Sequence, residues 1–297
     1  MNIDEYPKLI TVNKLLRPFV LQLKELEDIS TDLDKGGSKT LIRGAFVLAA
    51  ASAETALADS LKCYLIHFPH KMKDEFKYSK DEWFENLFRL VSVSAEKKVT
   101  ALLYKPFPDF FDSFLEILSI DREPAYDNAK VVIQEIRATR NLLLHNNLIV
   151  NDAYIDQAGD CKRMSRIDEV LPLNLAYAKK AIRVLTEFLN GLKSSIEKKY
   201  ASYTKDAACR RLWDFLFECD RLKYDDFWSS EDGHIYIKKG KCEDGMGTGE
   251  RILLGVWRTH FAGNASHLSC FDMRSLDRKH KEKLLFLLSI ASDFKFD

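Results

Sequence analysis

Apolar residues recur at intervals of three and four along most of this chain. That spacing turns one face of an α-helix toward a core. Leu9, Val12, Leu16, Val20, Leu23 and Leu26 mark a first amphipathic helix, with Pro18 as its kink. Residues 30–40, which carry Gly36-Gly37, read as a loop. A second helix is expected over about 41–68. Its middle, 45–58, holds a single charge, Glu54, so it is apolar all round and belongs at the centre of a bundle. A carboxylate there needs a partner, and Arg140 or Arg137 is the candidate that Glu54 would aim; the alternative puts Glu54 at the solvated edge of the helix.

Ser79-Lys80-Asp81-Glu82 has the form of a capping box and opens a third helix. Segments 94–105 and 108–120 read as further helices. After the break Asp121-Arg122-Glu123-Pro124, a helix runs over about 128–148 without Pro or Gly, with Val132, Ile136 and Leu143 on its apolar face. The stretch 150–170 is long and polar, contains Gly159 and has no sustained period; it is either a functional loop over the preceding helix or a mobile one. Leu175, Ala178, Ile182, Leu185, Leu189, Leu192 and Ile196 then form an a/d stripe. Packing inside the same bundle accounts for such a stripe, and help in forming a dimer is the sharper alternative.

The pattern changes after about residue 202. A helix over 206–221 precedes Trp, Gly and short β-like runs, of which His234-Ile235-Tyr236-Ile237 alternates. A helix over 252–261 and a last helix through 284–294, capped by Ser275, complete the chain. The expected class is therefore mainly α: a helical bundle over 1–202 and a smaller, mostly helical domain over 203–297 of unassigned role, with room for a short β-hairpin.

Composition narrows the function. Lys plus Arg and Asp plus Glu both number 45, so the formal net charge is zero. A nucleic-acid binder with that balance must concentrate positive charge locally, which disfavours broad duplex binding and permits a small cleft. The six Cys are scattered without a C-x-x-C pair, which supports neither a disulfide framework nor a zinc site and fits reduced thiols in a cytosol. The start Met1-Asn2-Ile3-Asp4-Glu5 is not that of a signal peptide, and the apolar run 45–53 is too short to span a bilayer. A cytoplasmic protein with no membrane partner, metal or cofactor is expected.

The chemistry concentrates in Glu135-Ile136-Arg137-Ala138-Thr139-Arg140-Asn141-Leu142-Leu143-Leu144-His145-Asn146. Arg137, Asn141 and His145 stand at i, i+4 and i+8 and share a helix face, with Arg140 flanking it. Arg forks onto phosphate oxygens and His moves protons near neutral pH. Arg140-Asn141-x-x-x-His145, near the end of an amphipathic helix late in a helical domain, resembles the R-x(4–6)-H signature of the HEPN (higher eukaryotes and prokaryotes nucleotide-binding) superfamily. The resemblance covers roughly the first two thirds of the chain.

The resemblance implies an up-and-down helical bundle and a metal-independent endoribonuclease of the toxin–antitoxin, phage-defence or abortive-infection kind. It implies a homodimer that brings two motifs into one cleft, RNA (single-stranded or loop) as substrate, and an antitoxin or other defence-system protein as partner. His145 would transfer protons, Arg140 hold the scissile phosphate and Asn141 orient either group, with Glu54 and Arg137 in support. Arg140 and His145 point about 140° apart on an ideal helix, so one chain does not converge them on one phosphate unless Arg140 reaches around or the helix ends early. A non-catalytic HEPN-like module that binds a nucleotide or a partner protein is the alternative.

Other motifs have plainer readings. Gly245-x-Gly247-x-Gly249 lacks the Lys-Ser/Thr of a phosphate loop and reads as a loop before a helix. His67 and His70 have no third ligand nearby and read as surface residues. Lys238-Lys239-Gly240-Lys241 and Arg278-Lys279-His280-Lys281 read as solvated basic runs. Trp213, Tyr224, Phe227 and Trp228 read as core.

Overall fold

The structure, a computed structural model, describes residues 8–75, 80–217, 222–231, 234–238, 246–261 and 276–291. The fold is mainly α. The chain divides into two units, Lys14–Ala201 and Met1–Asn13 with Ser202–Asp297. The N-terminal segment thus groups with the C-terminal unit and not with the bundle. The tie is made by backbone and guanidinium: Val12 N–H donates to Tyr203 O at 2.8 Å, and Arg211 Nε donates to Lys8 O at 2.8 Å.

The larger unit is built from α1 (Val12–Asp34, its first two residues counted with the other unit), α2 (Lys39–His67), α3 (Lys80–Leu103), α4 (Phe107–Leu118), α5 (Pro124–Asn146), α6 (Asp152–Ala158) and α7 (Leu175–Lys199). Pro18 lies inside α1 and cannot donate to the carbonyl one turn back. That carbonyl, Lys14 O, receives the Cys63 thiol at 3.9 Å, and the next, Leu15 O, accepts from Ser60 Oγ at 3.1 Å. The helix continues past residue 30, where a loop was expected, because Ile29 and Leu33 are buried on its inner face. Burial outweighs the weak helix propensity of Ser30-Thr31-Asp32. Gly36, at φ +83°, then turns the chain.

Helix α2 is central, as its apolar circumference requires. It packs against α3, α4, α5 and α7, and Ala49, Ala50, Ala53 and Ala56 are buried along it. It is also long and apolar enough, by composition alone, to cross a membrane; in this fold its buried positions face other helices. At its end His67 is half-buried and not a surface residue, and burial together with the Lys14 charge pushes its imidazole down to about 3. His70 is exposed. The third helix and the helix expected at 94–105 are one continuous element, since no Pro or Gly stands between Lys80 and Leu103. The Ser79 cap falls outside the described residues.

Helix α4 supplies Phe107, Phe110, Phe111 and Phe114 to the core, where Phe111 meets Phe188 of α7 with ring centroids 5.0 Å apart. Ala178, Ile182, Leu185, Leu189, Leu192 and Ile196 of the α7 stripe are all buried within this unit, against α2 and α5. Packing inside the bundle therefore uses these six positions; Leu175, the first of the stripe, is half-buried.

The second unit holds α8 (Lys205–Leu216), α9 (Tyr224–Phe227), an antiparallel hairpin of β1 (Trp228–Glu231) and β2 (His234–Ile237), α10 (Thr248–Phe261) and α11 (Arg278–Ala291). Its core is aromatic. Trp213, Tyr224, Phe227, Trp228 and Trp257 are buried, with Trp213 edge-on to Trp257 at 5.7 Å. Residues 217–221, expected to continue α8, are not helical at Phe217 and lie outside the described residues beyond it. Asp277, not Ser275, caps α11, accepting the His280 N–H at 2.9 Å; Ser275 lies outside the described residues. Gly249 closely approaches the His280 ring, where a Cβ would come within 2.6 Å, so packing accounts for this glycine of the Gly-rich run.

Candidate active site at the end of α5

Helix α5 begins at Pro124, a residue whose fixed φ and missing N–H suit a first helical turn. It ends where Asn147 (φ 48°) and Leu148 (φ 69°) adopt left-handed backbone and return their N–H groups to Leu142 O. Asn tolerates that conformation, and burial of Leu148 holds it in place. The helix therefore stops just after His145, which leaves that side chain on the last turn.

Glu54 is not at a solvated edge. It faces α5, where one carboxylate takes two cations: Arg140 Nη2 donates to Oε2, and Arg137 Nε lies 2.8 Å from Oε1. The Arg137 contact is an ion pair without hydrogen-bond alignment, so Oε1, like Arg140 Nε, is buried without a hydrogen bond. All three side chains keep 20–23% of their surface accessible. Arg137 is further committed, because its two Nη atoms donate to Leu103 O and to Lys105 O, the latter at 3.0 Å. It thereby ties the last carbonyl of α3, and one from the turn that follows, to α5. A small apolar niche lies beside Glu54 and Arg137, lined by Ala53, Leu57, Phe107 and Ile133 among others.

The remaining motif residues diverge from this ion-paired group. Asn141 is half-buried, and its Nδ2 donates to Gln157 Oε1 of α6 at 3.2 Å. His145 is exposed. Within one chain, then, Arg140 turns to α2 while His145 faces outward one and a half turns later. Glu54 joins Arg137 and Arg140, and nothing in the described contacts joins those three to His145.

Sequence reasoning missed the side chains that fix the region. Stretch 150–170 is an ordered clasp, containing α6 and a 3-10 turn (Gly159–Cys161), closed by an antiparallel bridge between Ile149 and Val170. Glu135, 3% exposed on α5, anchors it. Its carboxylate accepts from Thr139 Oγ1 (2.6 Å), Tyr154 Oη (3.0 Å), Arg163 Nε (2.8 Å) and Tyr177 Oη. Arg163 also stacks 3.6 Å over the Tyr177 ring and donates to Pro172 O at 2.6 Å. Burial, reinforced by the Glu135 charge, pushes the Tyr154 hydroxyl up to about 12 and Tyr177 higher still, so both stay protonated donors. Gln134 Nε2 donates to Gln157 O at 2.6 Å, a second fastening for the clasp. The one local signal was the i, i+4 pairing of Glu135 with Thr139; Arg163 is 28 residues away with no periodicity to mark it.

Arg43 of α2 was also missed. Its Nη1 donates to Asn147 Oδ1 at 3.1 Å, at the His145 end of α5. Compared with protein-family models, with curated proteins and with solved structures, the chain gives no match.

Proposed function

We propose that the chain is a metal-independent endoribonuclease of the HEPN type, a cytoplasmic toxin or phage-defence effector that cleaves single-stranded or loop RNA. The observation that carries the reading is the division of labour at the end of α5. Arg140 is held by Glu54 from the central helix, while Asn141 and His145 remain accessible on the last turns. In the reaction the 2′-oxygen bonds to the neighbouring phosphorus and the bond from phosphorus to the 5′-oxygen breaks. The 2′-proton goes to a base, and an acid protonates the departing 5′-oxygen, leaving a 2′,3′-cyclic phosphate and a 5′-hydroxyl. His145 serves one proton transfer, and His145 of a second copy serves the other. The free edge of the Arg140 guanidinium binds the phosphate oxygens, where negative charge builds up in the transition state. Asn141, steadied by Gln157, orients the nucleophile or the leaving group.

The test is cleavage of an unpaired RNA in EDTA, with the product ends identified. His145→Ala is expected to lose at least the roughly 10²-fold typical of a general acid/base, with the fold unchanged. Arg140→Lys is expected not to restore an Arg140→Ala loss, because an ammonium lacks the fork. A requirement for magnesium, or products bearing a 5′-phosphate, would reject the mechanism.

A second reading has its own observation. Arg137 and Arg140 already share Glu54, and no described side chain orients His145. Both facts suit a non-catalytic module that binds a nucleotide or partner protein. Growth arrest on expression that His145→Ala abolishes favours the enzyme; arrest that survives it favours the module.

A further inference from the structure

On helix α2, Arg43 and Glu54 are eleven residues apart, about 20° from the same face and about 16 Å along the axis. Asn147, the left-handed residue just after α5, follows Arg140 by seven positions. The pairs Glu54–Arg140 and Arg43–Asn147 therefore run antiparallel along a single α2–α5 seam. Arg140 marks one end of it and Arg43 the other, about 10 Å further along α5. His145 lies between them along the helix axis but faces about 140° away from Arg140.

The two cations differ in how they are compensated. Arg140 and Arg137 share a carboxylate, whereas Arg43, among the described residues, has no carboxylate partner. Its one hydrogen bond goes to a neutral amide, and its Nε is buried without a partner. Holding a guanidinium there fixes its head group while leaving its charge unspent. In a chain of zero net charge, an uncompensated Arg beside the motif is the local concentration of positive charge that a polyanion ligand needs.

We propose that Arg43 is a second phosphate-binding residue of this site. It grips the RNA backbone beyond the phosphate that Arg140 holds and so sets the register of the strand along the seam. The proposal rests on the ribonuclease reading above, and its test separates the two. The probe is a fluorescein-labelled 2′-O-methyl oligouridylate, which lacks the attacking hydroxyl and so reports binding alone. Its affinity is measured by anisotropy across a salt series for the parent and for Arg43→Lys, Arg43→Gln and Arg43→Ala. Each variant is first checked for parental thermal unfolding.

Loss of one phosphate contact to a single strand lowers the slope of log affinity against log salt by about 0.7. That decrease is expected in Arg43→Gln and Arg43→Ala and not in Arg43→Lys. Arg43→Gln removes the charge and Arg43→Lys keeps it, while both shorten the side chain, so comparing the two isolates the electrostatic role. A parental slope and affinity in Arg43→Gln overturns the proposal, and weak binding confined to Arg43→Ala assigns Arg43 to bracing Asn147 instead. A parent that fails to bind the probe at low salt overturns the ribonuclease reading itself.

Discussion

Glu54 is the residue on which the site turns. Two arginines converge on one carboxylate that has only about a fifth of its surface in water. Removing one member of a fully buried ion pair costs about 3–5 kcal/mol, and partial exposure here reduces that to about 2 kcal/mol. Glu54→Gln is therefore expected to lower the urea midpoint with an unchanged slope. It should also reduce cleavage, because Arg140 loses the group that aims it. A parental midpoint would show that the ion pair contributes no stability. That Glu54 takes Arg140 or Arg137 unless it lies at a solvated edge was legible from the sequence, since a carboxylate in an apolar helix needs a partner or water. That it takes both arginines was not, because the choice depends on the crossing of α2 over α5.

The element that the pattern left undefined, residues 150–170, is held by side chains and by few backbone bonds. Arg163 joins Glu135, Thr139, Tyr177 and the Pro172 carbonyl, so the clasp has one principal bolt. A charge-assisted hydrogen bond of this kind contributes about 1.5–3 kcal/mol. Arg163→Ala is expected to accelerate amide hydrogen exchange in α6 and residues 159–171 by roughly tenfold or more, with α2 and α7 unaffected. Uniform acceleration across the bundle would instead make Arg163 part of the global core. If the Gln157–Asn141 contact matters for function, the same variant also loses cleavage while its bundle stays folded. A polar stretch without period signals only that no amphipathic face exists there. It cannot signal a loop ordered by one buried carboxylate on a neighbouring helix.

At the scale of the whole molecule, the divergence of Arg140 and His145 makes a single chain insufficient for the proposed chemistry. Six residues of the α7 stripe are spent inside the bundle, but other apolar residues remain outside. Leu144 of α5, adjacent to His145, is 54% exposed. A homodimer that buries it would set two motif helices side by side. Light scattering is expected to give a dimer for the parent and a monomer for Leu144→Asp, with cleavage lost in the monomer. Mixing inactive Arg140→Ala and His145→Ala chains should restore part of the activity through hybrid sites. A parent that scatters as a monomer and is fully active at nanomolar concentration would sink this arrangement.

What the sequence determined by itself is what local periodicity controls. The mainly helical fold, the central place of α2, the burial of the α7 stripe and the aromatic core around Trp213 all follow from which side chains share a helix face. The strand alternation of residues 234–237 was legible for the same reason, since a period of two needs no distant information. Tertiary structure alone decided which faces meet. The Glu54 pairing, the Glu135–Arg163 anchor, the Arg43–Asn147 contact and the grouping of residues 8–13 with the C-terminal unit all join residues far apart in the chain. Periodicity orients a side chain about its own helix axis; only the packing of one helix on another supplies its partner.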